Sequence, residues 1–215
     1  MSAIANHSKL LGFQIDDKLQ MNHQITCLSR SVNLVLRNLC SVRHMTPESS
    51  RRTLAHSLVM SKIDNCNSLY LGTSEENIHK LQMLQNAALR YLRKLSPAAY
   101  ISTHFREEHW LNIRQRISFK YLTIIFKCLN NAAPVPLQNK LFVSCPERML
   151  LDISRFYPRT VYGRRSFTYL APRMWNALPL EGRLITELDV FKCYLKTYLF
   201  DEMDQFLRRV NPYSF

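Results

Sequence analysis

The chain has 215 residues, 47% hydrophobic and 21% charged, which suits one or two packed domains and excludes a disordered polyelectrolyte. Only 4 glycines occur, fewer than a fold rich in tight hairpins or a phosphate-cradling glycine loop would need. The formal charge of +13, from 29 basic and 16 acidic side chains, points to a polyanionic partner, nucleic acid or an acidic membrane surface.

Taken in chain order, the first helical signal starts at Ile25: Ile25, Leu28, Val32, Val35 and Leu39 recur at three and four and share one face, with Arg30 and Arg37 off the stripe. Thr46-Pro47-Glu48 reads as a helix start, with the Thr46 hydroxyl as the cap, Pro47 at the first helical position, and Leu54, Leu58 and Val59 as the buried face. Asp64 to Ser74 reads as a loop. Ser74 then caps a long helix with core stripe Ile78, Leu81, Leu84, Ala88 and Leu92, closed by Arg90, Arg93 and Lys94. A further helix over about Asn112–Asn131 carries Ile113, Ile117, Tyr121, Ile124 and Leu129 on one side, with Arg114, Arg116, Lys120 and Lys127 interleaved, and Pro134 and Pro136 end it. The stretch Cys145–Pro179, with four prolines and poor periodicity, is expected to be irregular, with at most short strands around Arg159–Tyr162 and Arg165–Tyr169. The last helix starts near Thr186-Glu187-Leu188-Asp189 and buries Leu188, Phe191, Leu195 and Leu199. The expected fold class is mainly α: a helical bundle followed by a small irregular α+β basic module, with a boundary near Ala132–Pro136.

Six cysteines stand singly, none in a CxxC pair, and are expected to be reduced, mostly buried thiols of an intracellular protein. No apolar run reaches the roughly 18 residues needed to cross a bilayer, so no membrane partner is expected. His104, His109, Cys66 and Cys128 match no zinc spacing, and no metal or cofactor is expected. Asp16-Asp17 is an adjacent acid pair, but two-metal chemistry needs further carboxylates, and no third aspartate precedes it; a turn after a short strand explains the pair better. No Walker loop, dinucleotide fingerprint or nucleophile elbow occurs, so no catalytic residues are assigned and the chain is not expected to be an enzyme by itself.

The segment Arg148–Arg173 is more informative. It holds six arginines and a single acid, Asp152, interleaved with Phe156, Tyr157, Tyr162, Phe167 and Tyr169. Guanidinium groups pair bidentately with phosphate, and aromatic faces stack on unpaired bases. Arg159, Arg164, Arg165 and Arg173, with Tyr162 and Tyr169, are the candidate nucleic-acid contacts, joined by Arg116 and Lys120 from the preceding helix. The competing reading makes the aromatics core and the arginines a solvated surface.

Several blocks together resemble one family. They are Leu11–Asp16 (LGFQID), Ser57–Leu69 (SLVMSKIDNCNSL), Leu81–Arg90 (LQMLQNAALR), His109–Lys120 (HWLNIRQRISFK), Gly163–Phe167 with Ala171–Pro179 (GRRSF, APRMWNALP), and Phe191–Phe200 (FKCYLKTYLF). Their content and order are similar to the C-terminal part of the reverse transcriptase of LINE-type (non-LTR) retrotransposons of the jockey and chicken-repeat kind. Asn65, Thr73-Ser74 and Asn112 depart from that pattern, which has Tyr, Leu-Pro and Pro there. The resemblance implies a remnant of the palm–thumb junction over 1–16, a thumb-like helical region over 17–131, and a basic, aromatic-rich module with a closing helix over 132–215. It also implies that the catalytic palm would lie upstream of this chain, and that the chain serves an RNA-directed DNA polymerase by holding RNA or an RNA–DNA hybrid, with the upstream polymerase region as a second partner. The alternatives are a functionless expressed relic and a co-opted protein-interaction domain.

Overall fold

Residues 7–16, 19–154 and 157–210 are described by a computed structural model of the chain; Asp17, Arg155, Phe156 and the side chain of Tyr162 lie outside the described residues. The chain is mainly helical, and its described residues include two small two-stranded sheets. It divides into two units, Met1–Arg116 and Ile117–Phe215. The expected boundary at Ala132–Pro136 falls inside the second unit.

The first unit begins with a hairpin. Strands β1 (His7–Leu10) and β2 (Phe13–Asp16) pair antiparallel across Leu11 and Gly12. Both turn residues have positive φ, 48° and 85°, as a tight primed turn requires. Asp16 ends β2 and holds the turn that leads to the next helix: its carboxylate accepts the backbone N–H groups of Gln20 at 3.1 Å and Met21 at 2.8 Å. Helix α1 (Asn22–Ser41) buries Ile25, Leu28, Val32, Leu36 and Leu39, close to the stripe read from the sequence.

Helix α2 (Glu48–Leu54) runs into a π-helical turn, Ala55–Met60, and on through the short α3 (Ser61–Asp64). Here two expectations are corrected. Thr46 does not cap α2, because its hydroxyl donates back to the Val42 carbonyl at 2.8 Å and Pro47 takes the cap position. Of the expected buried face Leu54, Leu58 and Val59, only Val59 is buried. The wider π turn rotates the helix so that Arg51, Ala55, Val59 and Met60 face inward and Leu58 is left 40% exposed. Arg51 is buried yet satisfied, its Nε donating to the Leu92 carbonyl at 2.8 Å.

A 3-10 turn at Asn67–Tyr70 leads to α4 (Glu75–Arg93), where Ser74 Oγ accepts the Asn77 backbone N–H at 3.4 Å. The α4 stripe Leu81, Leu84, Ala88 and Leu92 packs along α1 and against the π turn, forming the core of this unit. The buried amide of Asn77 donates to the Gln20 carbonyl at 3.1 Å and to Asn22 Oδ1 at 2.7 Å, which ties the starts of α4 and α1 together. After α5 (Ser102–Glu107), α6 (Ile113–Leu129) opens on a reciprocal capping box. The Asn112 N–H donates to Gln115 Oε1 at 2.7 Å, and the Gln115 N–H donates to Asn112 Oδ1 at 2.9 Å.

In the second unit the short α7 (Val135–Gln138) follows the helix that Pro134 ends. Strands β3 (Val143–Cys145) and β4 (Leu150–Leu151) pair antiparallel around a bulge. The expected strands at Arg159–Tyr162 and Arg165–Tyr169 are instead helical: α8 (Val161–Arg164) and α9 (Phe167–Asn176). Thr160 starts α8, its hydroxyl accepting the Gly163 N–H at 3.1 Å, and the Ser166 carbonyl accepts the Leu170 N–H at 3.0 Å as α9 begins. Pro172, one of the four prolines of the stretch expected to be irregular, sits inside α9. Its missing N–H is offset by burial with Ala171, Met174 and Trp175 on one face. Trp175 is 1% exposed, and its Nε1 donates to the Met149 carbonyl at 2.8 Å. Phe191, from α11 (Leu188–Val210), stacks on Phe126 with ring centroids 4.4 Å apart and tilts against Trp175 at 5.8 Å. Before it, α10 (Leu180–Arg183) approaches closely through Gly182, where an added Cβ would lie 2.3 Å from the Tyr194 ring.

The cysteines are mostly not buried as expected: only Cys128 is, while Cys40, Cys66 and Cys193 are exposed, because they stand on outer helix faces or in a turn.

Candidate nucleic-acid interface

In the first unit five cations, Arg52, Lys80, Arg93, Arg114 and Arg116, are paired with carboxylates among the described residues. Arg93 and Arg52 converge on the buried Glu108, with Arg93 Nε at 2.6 Å and Arg52 Nη2 at 3.1 Å from its Oε1. Arg114 pairs with Glu75, and Lys80 with Glu76. Arg116, one of the expected contacts, is held in the same way: its Nε donates to Asp64 Oδ1 at 2.8 Å and its Nη2 to Oδ2. That fork occupies the geometry a phosphate would use. Lys120, one turn further along α6, is exposed.

The second unit is different. No acid occurs between Asp152 and Glu181, a span with five arginines. Arg159 and Arg164 are exposed, and among the described residues neither is in an ion pair. One local turn holds them together. A Cβ added at Gly163 would meet Pro158 Cβ at 2.6 Å, so glycine lets the Pro158 ring close onto α8. The Arg164 N–H donates to the Thr160 carbonyl at 3.3 Å and completes the turn. Arg165 is half-buried and engaged within the protein.

Arg173 and Tyr169 were both expected to reach nucleic acid. They are one helical turn apart on α9 and meet each other: Arg173 Cζ stands 3.6 Å from the centre of the Tyr169 ring, and its Nη1 donates to the Tyr169 carbonyl at 3.0 Å. One face of that ring is therefore covered by a cation. Two features went unassigned in the sequence. Tyr157, two residues before Arg159, is 80% exposed. On α1 the exposed His23, Arg30 and Arg37 recur every seven residues on one outward line, in a stretch from Lys18 to Pro47 that carries no acid. The absence of acids is the signal that would have drawn attention to that face.

Among the described residues no three of His, Cys, Asp and Glu gather as a metal site. His104 instead contacts Glu107, Nδ1 to Oε2 at 3.1 Å, and burial pushes the Cys128 thiol up. No described helix is long and apolar enough to cross a membrane. No protein-family model, curated protein or solved structure matches the chain.

Proposed function

We propose that this chain is a non-catalytic nucleic-acid-binding segment, the C-terminal part of a LINE-type reverse transcriptase, which holds RNA or an RNA–DNA hybrid through arginine–phosphate contacts. The observation that carries this reading is the pair of exposed arginines at 159 and 164. Whereas Arg116 and four other cations of the first unit are matched by carboxylates, Arg159 and Arg164 stand exposed in an acid-free stretch and, among the described residues, in no ion pair. Exposed guanidinium groups without internal partners release counterions from a polyanion at little cost in broken contacts. The ordered sequence blocks support the family origin, and the upstream polymerase region is then the second partner. Asp16 is engaged in backbone hydrogen bonds to Gln20 and Met21 just before α1, a structural engagement that fits the non-catalytic reading.

A second reading, a co-opted protein-interaction domain, draws on Val135, Phe142 and Val143, which are 62%, 41% and 44% exposed. The deciding experiment compares the parent with an Arg159→Ala, Arg164→Ala variant, titrated against an RNA–DNA hybrid. Weaker binding at an unchanged melting temperature supports phosphate contact. Unchanged affinity sets this interface aside and favours the protein-interaction reading.

A further inference from the structure

The corner formed by residues 157–164 carries more than phosphate-binding charge. Tyr157 is 80% exposed, although an aromatic ring normally contributes its area to a core. The next residue, Pro158, packs against Gly163 so closely that no Cβ fits between them. Thr160 closes the same turn from both sides, accepting the Gly163 N–H on its hydroxyl and the Arg164 N–H on its carbonyl. A bare ring thus directly precedes a short, closely packed turn whose backbone carries two exposed guanidinium groups.

A ring of this kind stacks on a base only if that base is free of its neighbours, whereas arginines contact phosphates of any strand. Resting on the nucleic-acid reading above, we infer that the Tyr157–Arg159–Arg164 corner is a stacking subsite for an unpaired base, and that the preferred ligand is therefore single-stranded nucleic acid. Tyr157 takes the base, and Arg159 and Arg164 take flanking phosphates. Tyr169, with one face under Arg173, is the poorer platform.

The test is a fluorescence titration of the full chain with single-stranded oligo-adenylate, single-stranded oligo-deoxyadenylate and a blunt RNA–DNA hybrid of equal length, repeated at several salt concentrations. Tyr157→Ala should weaken binding of a single strand by about five-fold or more, leave the salt slope unchanged, and leave hybrid binding as it was. Tyr157→Phe should restore the parent's affinity, because the ring and not the hydroxyl is used. Loss in the oligo-adenylate arm alone assigns the subsite to RNA, and equal loss in both single-strand arms assigns it to either chemistry. Tyr100, 76% exposed in the first unit with no arginine beside it in sequence, is the control, and Tyr100→Ala should change nothing. The inference is overturned if Tyr157→Ala binds single strands like the parent, if hybrid binding falls by the same factor, or if Tyr100→Ala loses as much. In those cases an Arg159→Ala, Arg164→Ala loss on the hybrid still upholds the phosphate-binding reading. A parent that binds none of the three probes overturns both.

Discussion

The guanidinium of Arg173 lies 3.6 Å over the ring of Tyr169, and the same side chain donates to the Tyr169 carbonyl at 3.0 Å. Two residues that look like independent ligand contacts in the sequence are thus each other's partners. Such a pair is worth about 0.5–2 kcal/mol depending on how far it is desolvated. A double-mutant cycle with Arg173→Met and Tyr169→Leu, read from denaturation midpoints, should show a coupling in that range. Purely additive losses would mean the contact contributes nothing.

Trp175 anchors the second unit. It is fully enclosed, stands against Phe191 and is satisfied by the Met149 carbonyl. Trp175→Ala should cost about 3–5 kcal/mol. Thermal unfolding measures this directly, and a loss below about 1 kcal/mol would place the indole outside the core.

The start of α6 depends on the Asn112–Gln115 capping box. Asn112→Ala should lower stability by about 1 kcal/mol, and Asn112→Ser should recover most of it, because serine also caps well. Equal losses in the two variants, followed by chemical denaturation, would rule out a capping role.

His56 gives the first unit a pH dependence. Its ring is 5.2 Å from Trp110; burial, then the nearby Arg116 charge, holds its pKa below the ordinary 6.5. The unfolded chain therefore takes up a proton near 6.5 that the folded chain resists. The stability present above that value is lost as pH falls from 6.5 toward the lower folded pKa. His56→Gln should flatten this part of the stability–pH curve. A variant that keeps the parent's slope in this window would assign the slope to other groups.

Much of this architecture is legible in the residue pattern. The stripes of α1 and α4 and the Ser74 cap follow from spacing and side-chain chemistry that act locally. Even two departures from the family pattern make local sense, since Ser74 and Asn112 both head helices. What spacing does not reveal is set by tertiary contact. The π turn at Ala55–Met60 shifts a helical face by one residue, and no periodic template anticipates it. Pro172 looks like a breaker until Met174 and Trp175 are seen buried beside it. At the candidate interface, composition singled out the arginine-rich stretch. Partner choice inside it was not visible: sequence spacing cannot tell that Arg116 meets Asp64, 52 residues away, or that Tyr157 points outward while Tyr169 is covered.

The most direct test of phosphate binding is the salt dependence of the parent chain's affinity for an RNA–DNA hybrid, set beside that of the Arg159→Ala, Arg164→Ala variant. Each phosphate contact contributes about 0.7 to 0.9 to the slope of log affinity against log salt. The account predicts steep weakening with salt in the parent, and a variant whose slope is shallower by about 1.4 to 1.8 at an unchanged melting temperature. Affinity that does not respond to salt, or a variant with the parent's slope, would contradict it.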